Sequence, residues 1–173
     1  LWQFTITFGA IFMFYLLLVV AALVNLIGAF GPELGFDALW YHLTIPKLYL
    51  EWGKITFIPG GLLYYSAMPK LGELLYLLGG ANDTIAHLIN WSFGIGTAFI
   101  VYKISRRYLN SKYSLLASLI FYATPLVGWL SGSAYIDLIR TFFEALAFYL
   151  VLNGSLVFAG ITIALAVGTK TLA

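Results

Sequence analysis

The first 30 residues of the chain, Leu1 to Phe30, contain no charged side chain. A helix needs about 20 apolar residues to cross the hydrocarbon core of a bilayer. This run therefore predicts one transmembrane helix with some length to spare. A cleaved signal peptide is the alternative, but its apolar region is only about 7–15 residues long and follows a basic flank. That pattern does not fit here.

Composition extends the membrane prediction to the whole chain. Of its 173 residues, 62% are hydrophobic and 9% are charged, whereas soluble domains contain about 25% charged residues. So few charges cannot cover a water-soluble surface, and we expect an all-α integral membrane protein. The net charge of +2 is too small to suggest a nucleic-acid partner, and the absence of cysteine excludes disulfides and thiolate metal sites. The chain begins at Leu1 and stops inside an apolar run, so residues 1–173 are expected to be the N-terminal module of a longer protein.

Four further apolar runs predict a polytopic bundle of about five transmembrane helices. The C-terminal pair is separated by Asn153-Gly154, a turn signal, although residues 135–173 could also be divided differently. The four runs are 84–102, 113–130, about 134–152, and from about 155 to at least Leu172.

A basic cluster predicts the orientation of the bundle. Lys103, Arg106, Arg107 and Lys112 follow the second predicted span, and short loops rich in lysine and arginine stay in the cytoplasm. The N-terminus is then cytoplasmic, and the loop 31–83 faces outward. In a bacterium that side is the periplasm.

The loop 31–83 is the longest segment without a predicted span, and it predicts two helices lying along the membrane surface. The first runs from about Asp37 to Trp52, and Pro46 is expected to kink or divide it. The second begins at Pro69 and ends at the paired glycines of 79–80. Both are too short to cross a bilayer.

The predicted topology brings three ionisable residues to one membrane face. Asp37 follows the outer end of span one, Asp137 begins span four, and Lys170 ends span five. Asp137, Arg140 and Glu144 also share one face of span four. That face could be an ion-pair ladder joining span four to its neighbours, or the polar path of a transporter or channel. For Asp137, a helix-dipole or capping role is the simpler alternative.

Four segments carry a family resemblance: FDALWYHLTIPKLYLEWGKITFIP, YSAMPKLGELLYLLG, SAYIDL and AGITIALAVGTKTLA. Their order and membrane side resemble the N-terminal half of a C-type membrane glycosyltransferase. Relatives in that family include protein O-mannosyltransferases and lipid A aminoarabinose transferases. The resemblance implies a polyprenyl-phosphate sugar donor, a lipid, protein or glycan acceptor, and a multi-pass protein of a bacterial or archaeal plasma membrane with its site facing outward.

The resemblance also implies roles for individual residues. Asp37 matches the catalytic acid of the first loop, Asp137 the second acid, and Lys170 a basic residue near the donor phosphate. Many family members have paired acids in the first loop, but Ala38 follows Asp37 here, which argues against metal binding at that point. His42 could supply part of that function or be a hydrogen-bonded structural residue.

The chemistry of sugar transfer agrees with these residue types. A base must take the acceptor's hydroxyl proton, and a carboxylate at the edge of the apolar phase suits that role. The phosphate leaving group needs a nearby cation, which Lys170, Arg140 or a divalent metal could provide. Tyr41 and Tyr64 could contact the sugar or the lipid, or they could belong to the interfacial aromatic belt.

Two further hypotheses stay open at this point. One is a transporter or channel with a polar path at Asp137, Arg140 and Glu144. The other is a non-catalytic assembly subunit. A phosphate-binding loop and a His-Glu-x-x-His zinc motif are both absent from the sequence.

Overall fold

The computed structural model describes residues 2–171, and the side chains from residue 9 onward. This part of the chain forms eight α-helices, a five-residue π-helix and a short 3-10 helix, with no strand. The α-helices are α1 (Trp2–Gly28), α2 (Thr44–Trp52), α3 (Leu71–Leu77), α4 (Asp83–Ser105), α5 (Ser111–Tyr122), α6 (Pro125–Ser131), α7 (Asp137–Leu152) and α8 (Leu156–Thr169). The π-helix spans Ala38–His42 and the 3-10 helix spans Tyr64–Ala67. The prediction of an all-helical chain is confirmed.

Two helices are long and apolar enough to cross a membrane, which confirms the first two predicted spans as helices of the expected kind. They are Gly9–Gly28 within α1 and the whole of α4. The third predicted span is not one straight helix, because α5 and α6 meet at a bend of 64°. Residues 2–171 therefore contain two candidate spans, or three if the bent pair of α5 and α6 is counted as one.

The last two predicted spans correspond to shorter helices. Helix α7 has 16 residues and α8 has 14. At a rise of about 1.5 Å per residue they are roughly 24 and 21 Å long, against a hydrocarbon core of about 30 Å. The predicted end of span five at Leu172 lies outside the described residues.

The bend between α5 and α6 has a local cause. Pro125 is the first residue of α6 and has no amide hydrogen to continue the ladder of α5. The hydroxyl of Thr124 donates to the carbonyl of Ile120 at 2.8 Å, which satisfies one of the freed acceptors. A broken span needs such internal partners, because lipid offers none.

Helix α4 lies at the centre of the bundle and packs against α1, α5, α6 and α7. It begins at a side-chain cap, where Asn82 accepts a hydrogen bond from the amide of Ile85 at 3.2 Å. Gly94 on α4 allows a close approach, because an added Cβ would lie 3.3 Å from both Leu138 and Tyr122. The main apolar core therefore forms along the length of α4.

The first loop, residues 31–82, folds as a compact cap on one end of the bundle. The predicted helix from Asp37 to Trp52 is divided, but at Leu43 and not at Pro46, so that part of the prediction is wrong. Pro46 is the third residue of α2, where a helix needs no amide donor. The π-helix closes with a bond from the amide of Leu43 to the carbonyl of Ala38, at 2.9 Å.

Helix α3 confirms the prediction of a second short helix in this loop, and one glycine fixes its position. Gly72 approaches the chain just before α7 so closely that an added Cβ would lie 2.5 Å from Ile136 Cγ2. The same Cβ would lie 3.2 Å from Thr169 Cγ2, at the end of α8. Gly72 therefore seats α3 against the residues that precede Asp137 and Lys170.

We expect Gly72→Ala to destabilise the fold. The new methyl group cannot fit without moving Ile136, and overpacking of this kind costs about 1–3 kcal/mol. Gly160→Ala is the matched control, because Gly160 is also helical but has open space around its Cβ position. Alanine is favoured over glycine in helices by about 1 kcal/mol, so this control should be neutral or stabilising. Thermal unfolding in detergent measures both variants, and equal midpoints would contradict the assigned packing.

Candidate functional site

The first loop lies at one end of the bundle, which we call the loop end. A buried acid joins three elements there. Glu33 is 6% exposed. Its Oε2 lies 3.0 Å from His87 Nε2 and also accepts the amide of Ala134, while its Oε1 accepts the amide of Gly35 at 2.6 Å. Burial raises the pKa of Glu33, but the hydrogen bonds from His87, Ala134 and Gly35 outweigh it and hold the pKa below 4.5.

His87 completes this connection from the side of α4. Its Nδ1 faces the carbonyl oxygen of Ala29 at 3.1 Å, and its Nε2 faces Glu33. A ring with acceptors at both nitrogens makes both bonds only when both nitrogens carry hydrogen. Nearby, Asn90 donates to Tyr76 OH at 2.8 Å and to the carbonyl of Ser133 at 2.7 Å. These contacts hold the loop end together.

The basic cluster lies at the opposite end of the bundle. Arg107 donates to Asn153 Oδ1 at 2.9 Å, which joins the turn after α4 to the turn between α7 and α8. The predicted cationic end and the loop end are therefore separated by the length of α4.

A cavity of about 300 Å³ opens at the loop end. Three sets of elements form its wall: the π-helix and 3-10 helix of the first loop, α3, and the facing ends of α7 and α8. Its ionisable and aromatic lining residues include Tyr41, His42, Glu73, Asp137, Arg140 and Lys170. A groove of about 350 Å³ between α1, α4 and α5 has no acidic or basic residue in its lining. An open pocket of about 420 Å³ beside α2 has one basic residue, Lys54, and no acid, so of these three pockets only the loop-end cavity combines acids with bases.

An ion pair on the cavity wall connects two of the predicted site residues. Lys170 Nζ lies 2.9 Å from Asp137 Oδ1, and both side chains are about one-third exposed (37% and 36%). Asp137 is the first residue of α7, where the helix dipole favours a negative charge. Lys170 follows α8 in extended backbone. The structure thus brings together two charges that are 33 residues apart in sequence.

Asp37 is one hydrogen bond away from the cavity lining. Its Oδ2 accepts from Tyr41 OH at 3.3 Å, and its amide donates to Tyr135 OH at 3.3 Å. Burial and the Asp37 carboxylate together raise the pKa of Tyr41, so the phenol keeps its proton and acts as the donor. Asp37 is half-buried and does not itself line the cavity, to which it is connected through Tyr41.

Arg140 and Glu144 form a pair within α7. Arg140 Nη2 and Nε each lie 2.7 Å from Glu144 Oε1. The interpretation of a ladder joining this helix to its neighbours is therefore wrong for these two residues, because their ion pair is intrahelical. Arg140 also lines the cavity, which places its guanidinium one turn beyond Asp137.

Tyr64 lies at the open end of an aromatic stack. Its ring is 4.2 Å from that of Tyr65, and Tyr65 stacks on Tyr41 at 4.0 Å with an interplanar angle of 12°. Trp40 meets Tyr65 edge-on at 5.3 Å. Tyr64 is 47% exposed, and the stack leads from the protein surface to the cavity wall.

His42 is 1% exposed, and its Nδ1 lies 2.7 Å from Glu73 Oε1. The sequence placed His42 near the site but gave no partner for it. Within residues 2–171, no group of three or more His, Cys, Asp or Glu side chains is arranged to hold a metal ion. These described residues therefore do not fit a divalent metal.

Sequence reasoning missed Glu33 altogether and gave His87, Asn90 and Glu73 no role. The signal was present for His87 and Asn90, since both interrupt an apolar span, where polar residues face the protein interior. Little in the local sequence identifies Glu33, because the two partners that connect it to α4 and to the chain before α7 lie 54 and 101 residues away.

No protein-family model, curated protein or solved structure matches the chain. The resemblance to C-type glycosyltransferases therefore stays a prediction, and the function is argued from the geometry.

We expect Glu33→Gln to weaken the fold by about 1–3 kcal/mol, because the amide nitrogen that replaces one carboxylate oxygen cannot accept a hydrogen bond and leaves a buried donor without a partner. Glu51→Gln on the exposed side of α2 is the control. Thermal unfolding midpoints measured from neutral to acidic pH test this.

The pH dependence follows from the lowered pKa of Glu33. The advantage of the native protein over Glu33→Gln should be complete above about pH 4.5 and should disappear as the pH falls through the lower folded-state pKa. A difference between the two proteins that grows at acidic pH would contradict this assignment.

Proposed function

We propose that this chain is the membrane module of a glycosyltransferase that moves a sugar from a polyprenyl-phosphate donor to an acceptor hydroxyl. The observation that carries the proposal is the Lys170–Asp137 ion pair on the wall of a cavity at one end of an apolar helical bundle, with the Asp37 carboxylate bonded to Tyr41 of the cavity lining. A cation, a carboxylate and an adjoining apolar phase are the three things this reaction needs.

Lys170 is the proposed phosphate ligand. The Lys170 side chain is about one-third exposed, and its ammonium has one carboxylate partner. A phosphate that enters the cavity can therefore bind the ammonium beside Asp137 or take the place of Asp137 in the ion pair. Arg140 lines the same cavity and adds a second cation. The charge that develops on the leaving phosphate is then neutralised where it forms.

Asp37 is the proposed general base. The acceptor oxygen attacks the anomeric carbon, and the bond from that carbon to the phosphate oxygen breaks with its electron pair leaving on the phosphate. The hydroxyl proton moves to the Asp37 carboxylate. Attack from the face opposite the phosphate inverts the anomeric centre. The bond from Tyr41 orients the carboxylate, and its half-exposed position admits an acceptor from water.

The position of the site in the bundle supports a lipid-linked donor. The cavity and the cationic cluster lie at opposite ends of the bundle, so by the positive-inside rule the cavity faces outward. We propose that α5–α6, α7 and α8 join α1 and α4 as spans, giving about five, with α2 and α3 at the interface. A lipid donor and a water-borne lipid, protein or glycan acceptor meet at that boundary.

The transporter hypothesis would need a polar path running along α7. The charges found there are instead paired locally, Asp137 with Lys170 at the helix start and Arg140 with Glu144 within one turn. This arrangement favours a site at one end of the bundle over a path through it.

We expect Asp37→Asn to abolish transfer and leave the protein folded. Loss of a general base slows a reaction by about 10²–10⁴-fold. The measurement is release of polyprenyl phosphate from a panel of polyprenyl-phosphate hexoses and pentoses in native membranes. Asp83→Asn is the control, because Asp83 is also an acid of the loop end but is exposed and paired with Lys47. Normal turnover by Asp37→Asn would exclude it as the base.

Lys170→Met should weaken binding of the lipid phosphate itself. Loss of a charged hydrogen bond costs about 1.5–3 kcal/mol, or roughly ten- to a hundredfold in affinity. Native mass spectrometry with a synthetic polyprenyl phosphate measures the bound fraction. Lys47→Met is the control, since Lys47 pairs with Asp83 at the loop end and does not line the cavity. Equal losses in both variants would contradict a specific phosphate site.

A further inference from the structure

The cavity contains a second polar pair that the transfer step above does not use. His42 comes from the π-helix and Glu73 from α3, and the bond between His42 Nδ1 and Glu73 Oε1 is 2.7 Å long. The two side chains are 1% and 7% exposed. Both residues line the cavity that Lys170 and Asp137 also line.

Each member of this pair has one atom without a partner. His42 Nε2 and Glu73 Oε2 are buried and make no hydrogen bond to any described residue. An unsatisfied buried polar atom costs about 1–3 kcal/mol, and such atoms in native proteins require an explanation. Both residues form part of the cavity wall, although the two atoms themselves are shielded from solvent. A group that enters the cavity can supply the missing bonds once a neighbouring side chain of the wall moves aside.

The ring of His42 is held in a fixed orientation. Tyr41 packs on it with ring centroids 4.1 Å apart, and Tyr65 stacks on the far side of Tyr41. Glu73 restricts rotation of the ring by accepting a hydrogen bond from Nδ1. The π-helix makes this possible by burying Tyr41 and His42 together, although they are consecutive in sequence. π-Helical turns are often found at functional sites.

Charge decides which ligand fits this pair. With Glu73 ionised, the pair is neutral or singly negative, depending on whether His42 is protonated. The ammonium of Lys70 donates to the carbonyls of Tyr65, Ser66 and Met68 and forms no ion pair with Glu73, so it offsets the charge of that carboxylate only in part. An anionic phosphate would meet the Glu73 carboxylate, so phosphate belongs on the side of Lys170 and Arg140.

A hydroxyl group fits the pair in either state of His42. Hydroxyls both donate and accept hydrogen bonds, so one can bond to Nε2 whether or not that nitrogen carries hydrogen. A second hydroxyl can donate to Glu73 Oε2. Adjacent hydroxyls on a sugar ring present two such groups at neighbouring positions.

We propose that His42 Nε2 and Glu73 Oε2 form a sugar-binding subsite that holds two hydroxyls of a neutral pyranose ring. The identification of this sugar as the donor's own rests on the proposed function. Lys170 then binds the phosphate end of the donor, and the His42–Glu73 pair binds its sugar end. The subsite positions the ring and takes no proton in the reaction.

Histidine NMR tests the subsite without relying on transfer activity. The chain has two histidines, so protein labelled with ¹⁵N-histidine in nanodiscs gives signals from two imidazoles, which His42→Gln assigns. Methyl glucopyranoside and methyl mannopyranoside should shift the His42 Nε2 signal in a saturable way. His87 is the internal control, because both of its nitrogens are already bonded within the protein, and its signals should not move.

Glu73→Gln tests the second half of the pair. It keeps an amide oxygen near His42 but removes the acceptor charge, and we expect glycoside binding to weaken about tenfold. Unchanged His87 signals in this variant show that the fold is intact. Glu51→Gln, an exposed change in the same loop, should bind glycoside like the native protein.

Three results would overturn the proposal. The first is that no glycoside shifts the His42 signals. The second is that inorganic phosphate shifts them more than glycosides do. The third is that methylammonium shifts them and glycosides do not. The last two would make the pair an anion or a cation site. A glycoside response in a protein that transfers no sugar would retain the subsite and reject the glycosyltransferase assignment. Sugar transfer without a glycoside response would reject the subsite and retain the glycosyltransferase assignment.

Discussion

A polar group buried in an apolar helical bundle must find its partners within the protein, and Glu33 meets this requirement at the point where the bundle closes. One carboxylate takes hydrogen bonds from His87 on α4, from Ala134 before α7 and from Gly35 in the first loop. The chain leaving α1 is thereby fixed to two other elements. Together with the packing of Gly72 on Ile136 and Thr169, this connection fixes the first loop relative to α7 and α8 and gives the cavity its wall.

The cavity itself results from two departures from regular helix geometry. The π-helix buries Tyr41 and His42 side by side, and the end of α8 leaves Lys170 in extended backbone opposite Asp137. Helix α3 closes the third side. Polar groups therefore converge from four segments on a volume that a regular bundle would fill with apolar side chains. The resulting distribution of charge, with cations on one wall and the His42–Glu73 pair on another, matches a ligand with an anionic end and a neutral polar end.

Much of this arrangement could be predicted from apolar run lengths and turn signals. Counting the spans placed Asp137 and Lys170 at one face, because two helices joined by the short Asn153-Gly154 turn must run antiparallel. In the structure the side chains of Asp137 and Lys170 are in contact. The bend at Thr124–Pro125 was harder to predict, since proline is tolerated inside some membrane helices. The division at Leu43 depends on a π-helical bond that has no sequence signature.

The least predictable contacts were those made over long distances by single polar residues. Glu33 and Glu73 find histidine partners 54 and 31 residues away, and no periodicity of the chain encodes such pairs. The structure also explains why His42 was ambiguous in sequence. Its Nδ1 makes the hydrogen bond of a buried structural residue, while its Nε2 is buried without a partner, so the functional interpretation stays a prediction.

The contact of Gly72 with Ile136 and Thr169 connects the first loop to the charges of the cavity. Helix α3 packs on the two residues that immediately precede Asp137 and Lys170, with no side chain at Gly72 between them. A displacement of this seven-residue helix therefore acts on both halves of the ion pair together, and the separation of one cation from one carboxylate depends on where α3 lies.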